Sequence, residues 1–243
     1  MRSGQHAIHL WIISGLERVA FFTAAWWNNQ LHPPFRRLGE DAPQCLRSRF
    51  VSAEAEHTVI ETEEVPLSRL QPWPAAIYGP RETCVWIVVL RAFPNWLASR
   101  VEFERKRPLN GNKTANPLDE WVAYAEHAIE TTERNDVVTI LYDLWVISQQ
   151  YRDIIAKKLG LDPAKLSVDY VPHNGGGSSF IGIAQEEDAS RYVTRYTTLD
   201  STADLALCLE PRCRALTEKL FGAELCDPMY AHLEQLYAYS NST

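Results

Sequence analysis

The 243-residue chain lacks several features that define large protein classes. It has no run of about 18 to 20 apolar residues, which a membrane-spanning helix needs. It has no GxxxxGK[ST] loop, the phosphate-binding signature of ATP-hydrolysing P-loop proteins. Its only basic run is Arg105-Lys106-Arg107, and its formal net charge is −7, so a general nucleic-acid binder is not expected. Any anion-binding site must therefore be local.

Cysteine is also scarce, and its spacing is uninformative. No CxxC pair or metal-ligand spacing occurs among Cys45, Cys84, Cys208, Cys213 and Cys226. An odd, scattered set favours reduced intracellular thiols, so neither a disulfide framework nor a metal site is expected. The apolar start is interrupted by charged residues and no clean cleavage site follows, so a signal peptide is not expected either. We expect one cytoplasmic domain over residues 1–243, with 46% hydrophobic residues to build its core.

The strongest local pattern begins at Val85. Residues Val85 to Leu90 are an unbroken apolar run rich in β-branched side chains. Such a run predicts a strand buried on both faces, as in a parallel sheet. Arg91 follows directly, at the carboxyl end of the strand, where open α/β sheets bind their ligands. A guanidinium group at this position is well placed to hold an anion.

A helix is predicted to follow this strand. Pro94 or Asn95 can open the helix, and its first turns would bring Ser99 and Arg100 back toward Arg91. Two positive charges and a hydroxyl group would then share one pocket. The alternative is a buried strand followed by a helix with a salt-bridging arginine.

The chain opens with a polar turn that contains a glycine. Ile8, Trp11 and Ile12 follow it at helical spacing, so the turn leads into a helix N-terminus. Free backbone N–H groups at such a terminus bind phosphate or sulfate oxygens. A frayed amino terminus is the alternative. The residues of the turn are Arg2, Ser3, Gly4, Gln5 and His6.

Other segments predict alternating strands and helices. Strands are expected over residues 57–64 and 137–142. Helices are expected from Pro117 to about Arg134, and over residues 151–159 with Gly160 closing the second one. The end of the chain reads as helical over residues 203–221 and 227–239, with inward leucines and a break at Pro211.

The order of these segments resembles that of the sulfotransferases that use 3′-phosphoadenosine 5′-phosphosulfate (PAPS). In the most similar subgroup the first loop reads Arg-Ser-Gly-Asn-His-Ala-Ile, which Arg2 to Ile8 match with Gln5 in place of Asn. The 3′-phosphate segment reads Arg-Asp-Pro-Phe-Asn-Trp-Leu-Ala-Ser-Arg. Asn95 to Arg100 match it fully, whereas residues 92–94 depart from it and leave the spacing from Arg91 to Ser99 intact.

The resemblance extends to later segments. The subgroup's Gly-Gly-Gly-Ser-Ser-Phe stretch stands at residues 175–180, and its Leu-Gly-Leu helix end at residues 159–161. Glycines let the backbone approach a ligand closely, so a nucleotide- or substrate-covering loop is expected at 175–180, with a flexible linker as the alternative. The family also has a strand directly before the first loop. Here only Met1 precedes that loop, so either the true start lies upstream or the sheet lacks this strand.

The resemblance implies an α/β fold: a three-layer sandwich with a central, mostly parallel sheet of the P-loop NTPase-like type. It implies transfer of a sulfuryl group from PAPS, as co-substrate and without a metal, to a hydroxyl or amine of a small-molecule or glycan acceptor. The implied catalytic residues are Arg2, His6 and Glu63, with Glu63 at the end of the 57–64 strand as a base. The implied PAPS-binding residues are Arg2, Ser3, Gly4, Gln5, His6, Arg91, Ser99, Gly176, Gly177 and Ser178.

Two alternatives remain open at this point. One is a non-catalytic nucleotide-binding or interaction protein of the same fold. The other is a P-loop kinase relative, which the missing Walker Lys-[Ser/Thr] and the lack of a clear Mg²⁺-binding carboxylate disfavour.

Overall fold

The structure is a computed structural model that describes residues 5–17, 19–22, 26–27, 30–31, 57–60, 85–106, 116–168 and 190–242. Within these ranges the chain is mixed α/β and mostly helical. It divides into two compact units, residues 1–86 with 152–185 and residues 87–151 with 186–243. The single domain expected over residues 1–243 stays a prediction.

The described strands pair two at a time. β1 pairs with β4 in parallel, β2 pairs with β3 antiparallel, and β5 pairs with β6. The described part of the chain therefore shows strand pairs and does not show the three-layer sandwich around a central sheet. The strands are β1 (Val19–Phe22), β2 (Trp26–Trp27), β3 (Gln30–Leu31), β4 (His57–Ile60), β5 (Trp86–Leu90) and β6 (Val137–Leu141).

Helices make up most of the rest of the described residues. In these ranges two short 3₁₀ helices, Pro163–Lys165 and Arg195–Thr198, accompany the α-helices. The α-helices are α1 (Gln5–Ser14), α2 (Phe93–Lys106), α3 (Pro117–Glu130), α4 (Tyr142–Ile147), α5 (Gln149–Lys158), α6 (Ser190–Val193), α7 (Thr202–Cys208), α8 (Pro211–Phe221) and α9 (Ala223–Ser240).

In the first unit, α1 is buried on more sides than its apolar spacing predicts. Ile8, Trp11 and Ile12 are buried as expected, but Leu10 and Ile13 are buried as well. At the end of α1, the Ser14 hydroxyl donates to the Trp11 carbonyl oxygen at 2.7 Å and accepts from the Ser167 amide at 3.0 Å. This hydroxyl therefore joins the end of α1 to the segment after the 3₁₀ helix Pro163–Lys165.

The strand predicted to be buried on both faces, β5, is more exposed than expected. Val85, just before it, is 53% exposed, and Trp86 to Val89 are half-buried. Only its last residue, Leu90, is fully buried. A strand is buried on both faces only where other layers cover both, and the half-buried side chains of residues 86–89 lack such full cover. The prediction of burial on both faces is therefore wrong for residues 85–89.

The start of α3 follows its sequence signals closely. Pro117 occupies the first helical position, and Asn116 caps the helix by accepting a hydrogen bond from the Leu118 amide at 3.2 Å. On the side that the apolar spacing predicts to face inward, Trp121, Val122, Ala125 and Ala128 are buried, whereas Ile129 is half-buried. The helix ends at Glu130, four residues before the expected end at Arg134.

The break predicted at Pro211 separates α7 from α8, whereas Pro228 lies inside α9 and does not end it. α8 begins at Pro211, and the Glu210 carboxylate accepts a hydrogen bond from the Cys213 amide at 2.9 Å. The buried face of α8 differs from the expected leucines, since Leu216 and Leu220 are only half-buried. The residues that it buries are Cys213, Thr217 and Phe221.

Candidate functional site

The candidate site lies where β5 passes into α2. Arg91 and Ala92 join the two elements, and Asn95 and Ser99 lie one above the other on the first turns of α2. The Ser99 hydroxyl donates to the Asn95 carbonyl oxygen at 2.9 Å. Because this bond uses the only hydroxyl proton, the remaining lone pairs of Ser99 Oγ face donors from outside the helix.

Ser99 Oγ is the shared acceptor of two arginines. Nη1 of Arg91 and Nη1 of Arg195 each donate to it at 2.9 Å. With the bond to Asn95, the hydroxyl reaches its full capacity of one donated and two accepted hydrogen bonds. Arg91 and Ser99 are each 1% exposed, and Arg195 is 7% exposed. Two buried guanidinium groups therefore converge on one neutral oxygen.

Aromatic groups hold Arg91 in this position. Trp121 Nε1 donates to the Arg91 carbonyl oxygen at 2.8 Å, which fixes the backbone at the end of the strand. The guanidinium carbon lies 4.2 Å from the centroid of the Tyr142 ring, a cation–π contact. The Nε of Arg91 is buried and has no hydrogen-bond partner within the described ranges. Arg91 is thus held in place while one buried donor remains available to a ligand.

A buried carboxylate, Asp143, lies beside the two arginines. It belongs to the first turn of α4, and it is fully buried. Its Oδ2 accepts from the Ala92 amide at 2.8 Å, and its Oδ1 accepts from Asn95 Nδ2 at 2.7 Å. Burial raises the pKa of Asp143, against the lowering effect of the Arg91 charge. Asp143 therefore anchors the link between β5 and α2 from the neighbouring helix.

The cluster carries more positive than negative charge, since Arg91 and Arg195 contribute two guanidinium groups and Asp143 one carboxylate. Burial, followed by the Arg91 charge, lowers the pKa of Arg195 to about 9. Keeping Arg195 positively charged in this position therefore costs free energy. A bound anion would relieve this cost, because it brings both opposite charge and acceptor oxygens. The arrangement therefore suits an anion with several oxygens, such as a phosphate monoester.

Of the predicted site residues, Arg91 and Ser99 are placed together, within hydrogen-bonding distance. Gln5 and His6 form the first turn of α1, in the other compact unit. The remaining candidates lie outside the described residues: Arg2, Ser3, Gly4, Glu63, Gly176, Gly177 and Ser178.

The expectation that Arg100 turns back toward Arg91 is wrong. Its Nε donates to Glu104 at 2.9 Å, and its Nη1 donates to Glu120 on α3 at 2.8 Å. One helical position past Ser99 rotates the side chain by about 100°, which directs it away from the cluster. The second positive charge is supplied by Arg195 instead.

Sequence reasoning assigned no role to Arg195 or to Asp143. Arg195 lies 96 positions from Ser99, so no local spacing could connect them. Asp143 had a general signal, because it follows a predicted strand at the edge where ligands bind.

Among the residues that the structure describes, no three His, Cys, Asp or Glu side chains group to hold a metal ion. In the same ranges, none of the helices combines the length and apolar character needed to cross a membrane. The cysteines described are free and buried, and burial raises the pKa of each thiol: Cys208, Cys213 and Cys226.

Comparison with known proteins gives no match, whether to family models, to curated proteins or to solved structures. What the protein does is therefore inferred from its own residues.

Proposed function

We propose that the protein is a PAPS-dependent sulfotransferase in which Arg91 and Arg195, which converge on Ser99, bind the 3′-phosphate of PAPS. The observation that carries this proposal is the convergence of two buried guanidinium groups on Ser99 Oγ, each at 2.9 Å. Guanidinium groups match phosphate oxygens with parallel, charge-assisted hydrogen bonds. The spacing of eight residues from Arg91 to Ser99 is also that of the 3′-phosphate segment in the family that the sequence resembles.

The charge of the cluster suits this ligand. A phosphate monoester carries about −1.5 to −2 charges at neutral pH. Arg91 and Arg195 supply two positive charges, and the buried Nε of Arg91 supplies a donor with no described partner. Asp143 offsets one of these charges. A phosphate monoester would therefore neutralise the one remaining positive charge and exceed it by about half to one unit.

In the proposed reaction, the acceptor oxygen or nitrogen attacks the sulfur atom of PAPS. The bond between sulfur and the bridging phosphate oxygen breaks, and 3′-phosphoadenosine 5′-phosphate leaves with the bonding electrons. The acceptor proton passes to a base, for which Glu63 and His6 are the candidates. Arg2 and the amides of Gly4 to His6 would neutralise the departing phosphate oxygens. Arg91, Ser99 and Arg195 position the donor, because the 3′-phosphate itself does not react.

This function implies an organisation beyond the described strand pairs. We propose that residues 1–243 fold as one P-loop NTPase-like domain, a three-layer sandwich with a central, mostly parallel sheet. The protein would act in the cytoplasm, without a metal, on a small-molecule or glycan acceptor. The parallel pairing of β1 with β4 supports a sheet of this class but does not define its extent.

A second candidate is a nucleotide-binding protein of the same fold without transferase activity. The cluster itself favours this candidate, because its groups bind charge and none of them is placed to accept a proton. Asp143, the one carboxylate, already accepts hydrogen bonds at both oxygens. Binding of a 3′-phosphorylated nucleotide would need the cluster alone, whereas transfer also needs the groups around Arg2 and Glu63.

Titration calorimetry with three nucleotides, together with a turnover assay, separates these functions. We expect 3′-phosphoadenosine 5′-phosphate to bind more tightly than AMP, because AMP lacks the 3′-phosphate. Labelled PAPS, offered with phenols, sugars, amines and lipids, should yield a sulfated product. Binding without any product would favour the non-catalytic protein, and preference for ATP with Mg²⁺ would favour the kinase relative. Equal affinity for AMP and 3′-phosphoadenosine 5′-phosphate would contradict a 3′-phosphate site.

A further inference from the structure

The Asn95 side chain is fully buried, and both ends of its amide form hydrogen bonds with other elements. Its Nδ2 donates to Asp143 Oδ1 and to the Val193 carbonyl oxygen, each at 2.7 Å. Its Oδ1 accepts from the Tyr196 amide at 3.1 Å. The two hydrogens and the oxygen of one amide thus connect α2, α4 and the segment from Val193 to Tyr196.

The orientation of this amide is fixed by its partners. Nδ2 faces two acceptors, a carboxylate and a carbonyl, and Oδ1 faces a backbone N–H group. Exchanging the two ends would bring oxygen against both acceptors and leave the Tyr196 amide unpaired. Asn95 can therefore be replaced by neither Asp nor Ala without losing buried hydrogen bonds.

The two backbone groups that Asn95 contacts lie on either side of Arg195. Val193 ends α6, and Tyr196 is the second residue of the 3₁₀ helix Arg195–Thr198. The side chain of Arg195 returns to Ser99, one helical turn beyond Asn95 on the same face of α2. The backbone and the guanidinium group of this segment are thus held at successive turns of one helix.

We infer that Asn95 is a positioning residue of the anion site: it fixes the segment from Val193 to Tyr196 so that the Arg195 guanidinium meets Arg91 at Ser99. Asp143 in turn fixes the amide of Asn95. This inference depends on the proposed function, because it assumes that Arg195 contacts the bound phosphate. Asn95 itself need not touch the ligand.

The inference predicts that Asn95 acts on the ligand through Arg195 and independently of Arg91. Asn95→Ala should lower the affinity for 3′-phosphoadenosine 5′-phosphate by about tenfold, and Arg195→Ala by about tenfold or more. The double variant N95A/R195A should bind within about twofold of R195A alone, because the arginine that Asn95 positions is already absent. In an Arg91→Lys background, N95A should keep its full effect.

Titration calorimetry with 3′-phosphoadenosine 5′-phosphate on the full chain tests this cycle, with Asn241→Ala as the control. Asn241 is an exposed amide that donates to the Tyr237 carbonyl oxygen at the end of α9, so its loss should leave the affinity unchanged. An N95A effect that is the same with and without Arg195 would overturn the inference, and so would no N95A effect. Failure of the unmodified protein to bind would instead overturn the proposed function.

A charge-conserving exchange keeps the test valid if N95A does not fold. Asn95→Asp sets two acceptors against each other at Asp143, and its affinity should fall by about tenfold. Adding Asp143→Asn returns a donor opposite the new carboxylate and an acceptor for the Ala92 amide, so the affinity should recover at least in part. No recovery in a folded N95D/D143N protein would overturn the inference.

Discussion

Arg195 donates a hydrogen bond to Ser99 across 96 positions of the chain, on the same oxygen that Arg91 reaches. Two like charges are brought together by this arrangement in a buried place. Like charges repel more strongly where water is scarce, so the pair costs free energy unless an anion balances it. This relationship gives the anion site its physical basis and leads to the predictions that follow.

The first prediction concerns Arg91 and uses a pair of matched ligands. Arg91→Ala should lower the affinity for 3′-phosphoadenosine 5′-phosphate by about a hundredfold, because a buried charge-assisted contact is lost. The affinity for AMP should stay unchanged, since AMP has no 3′-phosphate. The affinity of Arg91→Lys for 3′-phosphoadenosine 5′-phosphate should lie between those of the unmodified protein and Arg91→Ala, because lysine keeps the charge and loses the paired geometry. Titration calorimetry measures all of these affinities.

Arg134→Ala is the control for loss of an arginine. Arg134 forms an ion pair with Asp136 at the surface and has no part in the cluster, so its removal should leave both affinities unchanged. If R91A weakened AMP and 3′-phosphoadenosine 5′-phosphate by the same factor, Arg91 would not bind the 3′-phosphate.

The second prediction concerns the shared acceptor. Ser99→Ala leaves two guanidinium donors without their oxygen, and the free energy of unfolding should fall by about 2 kcal/mol. Inorganic phosphate should reduce this loss, because its oxygens can replace the missing acceptor and stabilise the folded state that binds them. Urea unfolding with and without phosphate measures both effects.

Ser242→Ala is the comparison for this substitution. Its exposed hydroxyl donates to the Ala238 carbonyl oxygen near the chain end, and its loss should change stability by less than about 0.5 kcal/mol. Equal losses for S99A and S242A would show that the two guanidinium groups do not depend on Ser99.

The sequence predicts those parts of the fold that local signals determine. Pro117 and Asn116 define the start of α3, and Gly160, with its positive φ of 71°, stands just past the end of α5. The exposure of β5 could not be predicted in this way, because it depends on which layers cover the strand. The buried face of α8 was likewise set by its neighbours, which favour Cys213 and Thr217 over the leucines.

The candidate site also combines residues that local signals predict with residues that only the packing brings together. Arg91 and Ser99 are eight residues apart, and a strand followed by a helix is enough to bring them together. Asp143 accepts a hydrogen bond from the Ala92 amide across 51 positions of the chain, and Arg195 lies beyond Asp143 in the sequence. These residues come together only because α4 and the 3₁₀ helix Arg195–Thr198 pack against α2. The periodicity of apolar residues in the sequence does not predict this packing.

The third prediction concerns Trp121, which holds the backbone of Arg91. Trp121→Phe keeps an aromatic ring but leaves the Arg91 carbonyl oxygen without its donor at 2.8 Å. The free energy of unfolding should fall by about 2 kcal/mol, and the affinity for 3′-phosphoadenosine 5′-phosphate should fall with it. Urea unfolding and titration calorimetry measure the two effects.

Trp96→Phe is the control, because it makes the same change of ring size on α2, whereas Trp121 lies on α3. Trp96 lies beside the Arg100 guanidinium, 5.5 Å from ring centroid to guanidinium carbon, so its substitution should leave the affinity unchanged. An equal loss of affinity in W96F and W121F would mean that ring volume matters and that the bond to Arg91 does not.

The last prediction concerns pH and Asp143. Burial raises the pKa of this carboxyl above its ordinary 3.8, so the folded state holds the proton more tightly than the unfolded state does. Its contribution to stability is therefore fully present below pH 3.8 and is lost as pH rises through the raised value. The side chain of Asp143→Asn cannot lose a proton. Between pH 3.8 and the raised pKa, the free energy of unfolding of this variant should therefore rise relative to that of the unmodified protein by up to about 1.4 kcal/mol per pH unit.

Urea unfolding of both proteins from about pH 4 to pH 8 measures this difference. The absolute cost of losing the acceptor for the Ala92 amide cancels, because only the change with pH is compared. Asp136→Asn is the control, because it removes an exposed ion pair with Arg134 that forms only with a charged carboxylate. The loss in free energy of unfolding that it causes should stay level or grow as pH rises. If D143N lost stability relative to the unmodified protein as pH rose, the charged carboxylate would be favoured by Arg91 and Arg195 more than burial disfavours it.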